Sequence, residues 1–186
     1  MRVAVTGTPG TGKTTATNAL ATRVAEEDSA ADSFSIGDST LEVVHLNDVL
    51  EDEALYTEVD EDRQSKVADM DALGEWLEGT DDALIESHLA HHFDADRVAV
   101  LRCEPETLET RLTERGETAE KASENAESEA LDVILGEAVD RHGLESVYEI
   151  DTTNRTPEAV ADALEAVVIG EREPSAGDVD FMGYLA

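Results

Sequence analysis

One stretch leaves this chain little choice of fold. Gly7 is followed by four residues and then by Gly12-Lys13-Thr14, the G-x-x-x-x-G-K-[ST] spacing of a phosphate-binding loop. Arg2 to Thr6 precedes it as a short apolar strand, with Val3, Ala4 and Val5 in succession. After it, Ala16, Leu20 and Val24 recur on one helical face. The loop therefore lies between a strand and a helix N-terminus. Its glycines, Gly10 and Gly12 among them, let backbone N–H groups turn inward. The helix start adds unpaired donors and the positive end of a dipole. Lys13 is placed to reach the β- and γ-phosphates of a nucleoside triphosphate, and the Thr14 hydroxyl to help hold Mg²⁺. The pattern points to a bound nucleoside triphosphate with Mg²⁺.

The charge balance is the second constraint. The 186 residues carry 45 Asp and Glu against 13 Lys and Arg, a formal net charge of -32. Acid recurs in every segment after the first, interleaved with regular apolar periodicity, so the chain reads as folded rather than disordered. Self-repulsion at this density opposes a compact state in dilute buffer. In about 1 M salt the Debye length falls to about 3 Å and most of that penalty disappears. The composition is that of a halophilic protein from a molar-salt cytoplasm. Cys103 stands alone, which excludes a disulfide framework and a cysteine-based zinc site. No apolar run approaches a membrane span and no secretory leader is legible, so a soluble, cytoplasmic protein is expected.

Strand and helix signals alternate along the chain. Helix one is expected to run from Lys13 to Glu27, and 28–40 reads as a surface loop. Leu41 to Leu46 reads as a strand, with Asn47 or Asp48 capping a short helix to Ala54. Tyr56 to Arg63 reads as an acidic loop, Ser65 to Met70 as a short strand, and Asp71 to Leu77 as a helix carrying Trp76. Ala83 to Ile85 and Arg97 to Leu101 are buried strands. Pro105 opens a helix that Gly116 interrupts. After a polar stretch, Leu131, Ile134, Leu135 and Ala138 mark another helix, ending near His142. Ser146 to Ile150 is the last strand, and Thr156-Pro157 caps the last helix. Residues 170–186 read as an acidic C-terminal tail. This alternation predicts an α/β fold, a parallel sheet with helices on both faces. In such sheets ligands sit at the carboxyl ends of the strands. The phosphate loop, Asn47-Asp48, Glu86-Ser87-His88 and Arg102 all fall there.

Each of these carries a chemical expectation. Glu86, an acid at a strand end, suits a Mg²⁺ ligand or a water-orienting group. His88, two residues on, can orient a water or contact the γ-phosphate. His91 and His92 read as surface or packing residues. Arg111 and Arg115 project from one helical face and suit bidentate phosphate contacts or stacking on a base. Asn154, between the last strand and the last helix, can touch a base. The Asn-Lys-x-Asp pattern of a guanine reader is absent, which argues against a GTPase.

Together these residues resemble the nucleoside monophosphate kinases, and within them the adenylate kinase isoenzyme 6 family, called coilin-interacting nuclear ATPase in animals. The resemblance rests on Thr6 to Thr15, on Asn47-Asp48-Val49, on the acid-x-His pair Glu86 and His88, and on Arg111-Leu-x-x-Arg115-Gly116. It covers residues 1–169. It implies a P-loop three-layer α/β/α fold with a five-stranded parallel core, a monophosphate-binding segment over 37–56 and a lid over 114–124. It implies ATP contacts at Gly10, Gly12, Lys13, Thr14, Thr15 and Arg115, and phosphate transfer between ATP and a nucleoside monophosphate, AMP foremost, with added ATPase activity. It further implies a role in late small-subunit ribosome maturation through transient binding of a platform ribosomal protein. Two departures stand out. Glu86 replaces an aspartate, and Glu51-Asp52-Glu53 stands where relatives can present an arginine to the monophosphate. Arg102 is the expected substitute cation. An ATP-switched assembly factor with little kinase activity, or a kinase of another small metabolite, remain alternative readings of the same loop.

A surface this acidic repels nucleic acid, so tight RNA binding is not expected. A basic ribosomal protein is a better partner, with Phe181, Met182, Tyr184 and Leu185 as an apolar contribution. Lowering KCl from molar to millimolar should remove helical circular dichroism, partly restored by MgATP through binding linkage. Equal stability in both salts would overturn the halophilic reading.

Overall fold

The computed structural model describes residues 1–24, 33–36, 39–60 and 65–186. Its strands are β1 (Arg2–Thr6), β2 (Ser33–Ile36), β3 (Ser39–His45), β4 (Tyr56–Asp60), β5 (Ser65–Ala68), β6 (Ala83–Glu86), β7 (Arg97–Arg102) and β8 (Val147–Asp151). Its helices are α1 (Lys13–Val24), α2 (Leu46–Asp52), α3 (Met70–Trp76), α4 (Pro105–Glu114), α5 (Ala119–Ala130), α6 (Val133–His142) and α7 (Pro157–Ile169).

A strand as apolar as β1 must be covered on both faces, and it lies inside the sheet. The strand order is β2-β3-β6-β1-β7-β8. β3, β6, β1, β7 and β8 run parallel, with Val5 opposite Glu86 on one side and Ala99 on the other. Alternate side chains feed two cores. Val3, Val5, Leu84, Leu101 and Ile150 pack with Leu20 of α1 and Leu164 and Val167 of α7. Ala4, Ile85, Val98 and Val100 pack with Leu73 of α3, Phe93 and Leu135 of α6. The three-layer α/β/α expectation therefore holds. The cap at the last helix is also as read: Thr156 Oγ1 accepts from Ala159 N at 3.3 Å, and Gly170 closes the helix at φ +77°.

Elsewhere the structure corrects the sequence reading. Tyr56–Asp60 is not loop but pairs antiparallel with Ser65–Ala68, a hairpin apart from the main sheet. Its acidic composition hid the strand, because cross-strand pairing rather than propensity holds it. Ser33–Ile36, inside the expected surface loop, is a sixth, antiparallel edge strand on β3. Residues 25–32 and 37–38 lie outside the described residues, and with them the expected end of helix one and Gly37 of the monophosphate segment. The cap of α2 is His45, without a side-chain cap bond. Asn47 instead accepts a hydrogen bond from Ser87 Oγ at 2.9 Å. The polar stretch after Gly116 is α5, which buries Ala122, Ala126, Glu129 and Ala130. Small residues at a four-residue spacing make a buried face with little apolar signal.

The largest correction concerns Arg102. It is 1% exposed and surrounded by acid. Its Nε donates to Glu129 Oε1 at 2.7 Å, and its two terminal nitrogens donate to Glu149 and Asp132. The ring of Phe181 lies 5.4 Å from the guanidinium carbon. Glu149 Oε2 also accepts from the backbone N–H of Gly177, Asp178 and Val179, at 2.6, 2.8 and 3.3 Å. The C-terminal segment thus docks onto the sheet edge through a buried carboxylate. Arg102 cannot face a bound nucleotide without abandoning these partners.

Removing one partner of a buried ion group leaves charge uncompensated, at a cost of about 3–5 kcal/mol. Arg102→Met should lose stability on that scale in urea unfolding at molar KCl. Arg23→Met, which breaks an exposed contact to Asp162 and Glu165, should lose under about 1 kcal/mol. Similar losses in the two variants would refute the structural role of Arg102.

Candidate functional site

The phosphate loop follows β1 directly, and its backbone explains its glycines. Gly7 has φ +139°, and a Cβ there would meet the Leu101 carbonyl oxygen at 2.3 Å, so β7 leaves no room for any other residue. Gly12 has φ +91° with open space where a Cβ would point. The loop thus keeps a cradle clear before α1. Lys13 is buried, and its Nζ donates to the carbonyls of Gly7 and Thr8 at 2.8 and 3.1 Å. Burial lowers its pKa to about 8, opposed in part by Glu86 and Glu129. An arriving phosphate restores the preference for the charged form.

Glu86, 3% exposed, ends β6 beside the loop. Its Oε2 accepts from Thr14 Oγ1 at 3.1 Å and lies 2.9 Å from His45 Nδ1. The other ring nitrogen of His45 is 3.1 Å from Asn18 Oδ1. A threonine hydroxyl and a carboxylate in contact are hard oxygen donors, a set that fits Mg²⁺. Thr14 and Glu86 would hold the ion, which would supply positive charge to offset that of the phosphates.

His88 lies just beyond and is half-buried. Burial first, then the nearby Lys13 charge, push its pKa down to about 4, so it is neutral near pH 7. Between the ordinary histidine value of 6.5 and about 4 the unfolded chain takes up a proton that the folded one refuses. Stability therefore falls as pH drops through that window. His91 is 1% exposed, joined to Thr6 Oγ1 at 2.8 Å and to Glu137 at 3.0 Å. It is a packing histidine that ties β1 to α6.

Two clefts flank these groups. The smaller, about 220 Å³, is walled by Gly10, Gly12 and Thr15 of the loop region and by Arg111, Arg115 and Arg155. Arg111 is anchored by donating to the carbonyls of Thr152 and Thr153, both at 3.1 Å. Arg115, at the C-cap of α4, is exposed along the same wall. Asn154 is exposed and does not line this cleft; its neighbour Arg155 does. The larger cleft, about 950 Å³, is lined by His88, Leu50, Met70 and Phe93, with Lys66 and Arg141 as its cations. The back of the loop is tied down too, since Thr8 Oγ1 donates to Glu129 of α5.

Sequence reasoning missed His45, Lys66, Glu129 and Arg155. His45 was legible in principle as a strand-end residue beside Asn47. The other three are charged residues in a chain full of charge, and only their partners distinguish them. Among the described residues, no helix is long and apolar enough to cross a membrane.

Comparison with known proteins agrees with this geometry. The AAA domain family matches residues 3–132. A protein of Natronomonas pharaonis named "Putative adenylate kinase" is 59% identical over 185 residues, covering 100% of both chains. A protein of the same name from Halobacterium salinarum is 56% identical over 186 residues, again covering 100% of both. Among solved structures, a shikimate kinase from Bacteroides thetaiotaomicron superposes with a TM-score of 0.56 at 14% identity, covering 91% of this chain and 98% of its own. That likeness concerns the fold alone. With its phosphate loop seated between β1 and α1 and full-length relatives of this kind, the chain belongs to the adenylate kinase-like P-loop family, within the nucleoside monophosphate kinase superfamily.

Proposed function

We propose that the protein transfers the γ-phosphoryl group of ATP to a nucleoside monophosphate, AMP foremost, and hydrolyses ATP when no acceptor is bound. The observation that carries this reading is the second cleft. A pure ATP-binding module needs the small cleft beside Gly10 to Gly12; the 950 Å³ cleft lined by His88 is room for a second substrate.

The roles follow from placement. Loop amides and Lys13 hold the β- and γ-phosphates, and Arg115 neutralises charge on the transferring group. Arg111, pinned to the backbone of 152–153, braces the base side of the ATP cleft. No covalent intermediate is required, because positioning and charge neutralisation do most of the work in phosphoryl transfer. Neutral His88 can accept a hydrogen bond from a water and orient it, which matters only when water is the acceptor.

A second role, as an ATP-switched factor in small-subunit ribosome maturation, is supported by surface chemistry. Met182 and Leu185 are 55% and 43% exposed on a chain of net charge -32. Phe181 and Tyr184 contribute less to a partner than the sequence suggests. Phe181 covers Arg102, and the Tyr184 hydroxyl donates to Glu109 at 3.3 Å. A basic platform ribosomal protein suits such a surface, and cytoplasmic molar salt makes the apolar pair necessary. Pull-down of the full chain in molar KCl should retain that protein and release it on ATP hydrolysis. Tight binding of naked rRNA instead would sink this role.

Lys13→Ala should lower both phosphotransfer and ATPase by roughly 100-fold or more. His88→Gly should reduce AMP-free hydrolysis more than transfer to AMP, measured as ADP formed with and without each monophosphate. Near wild-type activity in the first variant, or equal losses in the second, would show the assignments to be wrong.

A further inference from the structure

An acceptor monophosphate brings about two negative charges into a protein that already carries a net charge of -32. Some cation must meet it. Arg102 is excluded, being buried among Glu129, Glu149 and Asp132. Among the described residues that line the larger cleft, Lys66 and Arg141 are the lysine and arginine side chains. Arg141 leans outward, its Nη2 3.4 Å from the almost fully exposed Asp94. Lys66 is different. It sits on β5, is joined to Glu51 in the last turn of α2, and its Nζ lies 4.3 Å above the Tyr56 ring.

We propose that Lys66 receives the phosphate of the acceptor and that Glu51 is a stand-in counter-ion displaced when the acceptor binds. The inference rests on reading the larger cleft as the acceptor site. Glu51 belongs to the acidic run on α2 that the sequence sets against the monophosphate. In the folded chain that carboxylate is paired with the lysine at the cleft. A carboxylate near a helix C-terminus is unfavourably placed against the dipole, so Glu51 depends on Lys66 more than Lys66 depends on it. The pair is also weakly held, since the side chain of Glu51 is 55% exposed. A phosphate offers three acceptor oxygens and nearly twice the charge, and it wins the ammonium. The released Glu51 then returns to solvent.

The rest of the cleft agrees with this polarity. α3 and the turn after it present Asp71, Glu75 and Glu78 to the cleft, a wall that repels phosphate but accepts hydrogen bonds from ribose hydroxyls and a base amino group. Leu50, Met70 and Phe93 supply apolar contact for the base. The monophosphate thus gains selectivity by exchange: an anion too weak to displace Glu51 does not enter.

The test is steady-state kinetics on the full chain in molar KCl with saturating MgATP, varying AMP. Lys66→Met should raise KM for AMP roughly 10- to 100-fold, the range for a hydrogen bond to a charged group. KM for ATP should move by less than about twofold, since Lys66 does not line the ATP cleft. Lys66→Arg should recover part of the loss. Glu51→Gln should lower KM for AMP, because it removes the competitor. Lys66→Met with wild-type KM for AMP, or Glu51→Gln with a raised one, overturns the proposal while leaving the acceptor reading intact. A wild-type chain that neither phosphorylates a monophosphate nor binds AMP in calorimetry overturns both.

Discussion

The guanidinium of Arg102 is the point on which the molecule turns. One positive charge is set among Glu129 and Glu149, both almost fully buried, and the half-exposed Asp132. Charge removed from water is expensive, and Coulomb attraction offsets that cost only where the remaining lone pairs are also satisfied. Here they are. Glu149 takes three amides from 177–179, while Glu129 takes Thr8 Oγ1 and the Cys103 amide. The same group therefore joins β7, β8, α5, the C-terminal segment and the back of the phosphate loop. Because the network is internal, screening by salt reaches it far less than it reaches the surface.

That arrangement also separates two uses of charge. The surface carries acid that repels itself, whereas six of the cations lie at the two clefts. Lys13, Arg111, Arg115 and Arg155 adjoin the smaller cleft, and Lys66 and Arg141 line the larger, six of the 13 Lys and Arg. At the smaller cleft, whose charged lining is Arg111, Arg115 and Arg155, this clustering sets the local sign of the potential. Glu86 is held by Thr14 and His45, so it faces the loop rather than solvent.

Much of the architecture was legible because it depends on neighbours in sequence. A glycine-rich turn between a strand and a helix makes its own anion cradle, and Thr156-Pro157 makes its own cap. The apolar runs Val3 to Val5, Ala83 to Ile85 and Val98 to Leu101 can lie only inside a sheet covered on both faces. Those local devices placed Lys13, Thr14 and Glu86 correctly at one end of the sheet.

What the sequence alone determined, then, is the phosphate loop, the layered α/β fold and the excess of acid. The tertiary structure decided which charges work and which merely hold. Arg102 and Glu129 are 27 residues apart, and Arg102 and Glu149 are 47 apart. Nothing local marks them among so many similar carboxylates. The hairpin of β4 and β5 is stabilised by pairing that its acidic composition conceals, and α5 packs on alanines that carry little hydropathy signal. Lys66 meets Glu51 only once that hairpin folds over α2. A motif states its chemistry in consecutive residues; an ion pair states it only through space.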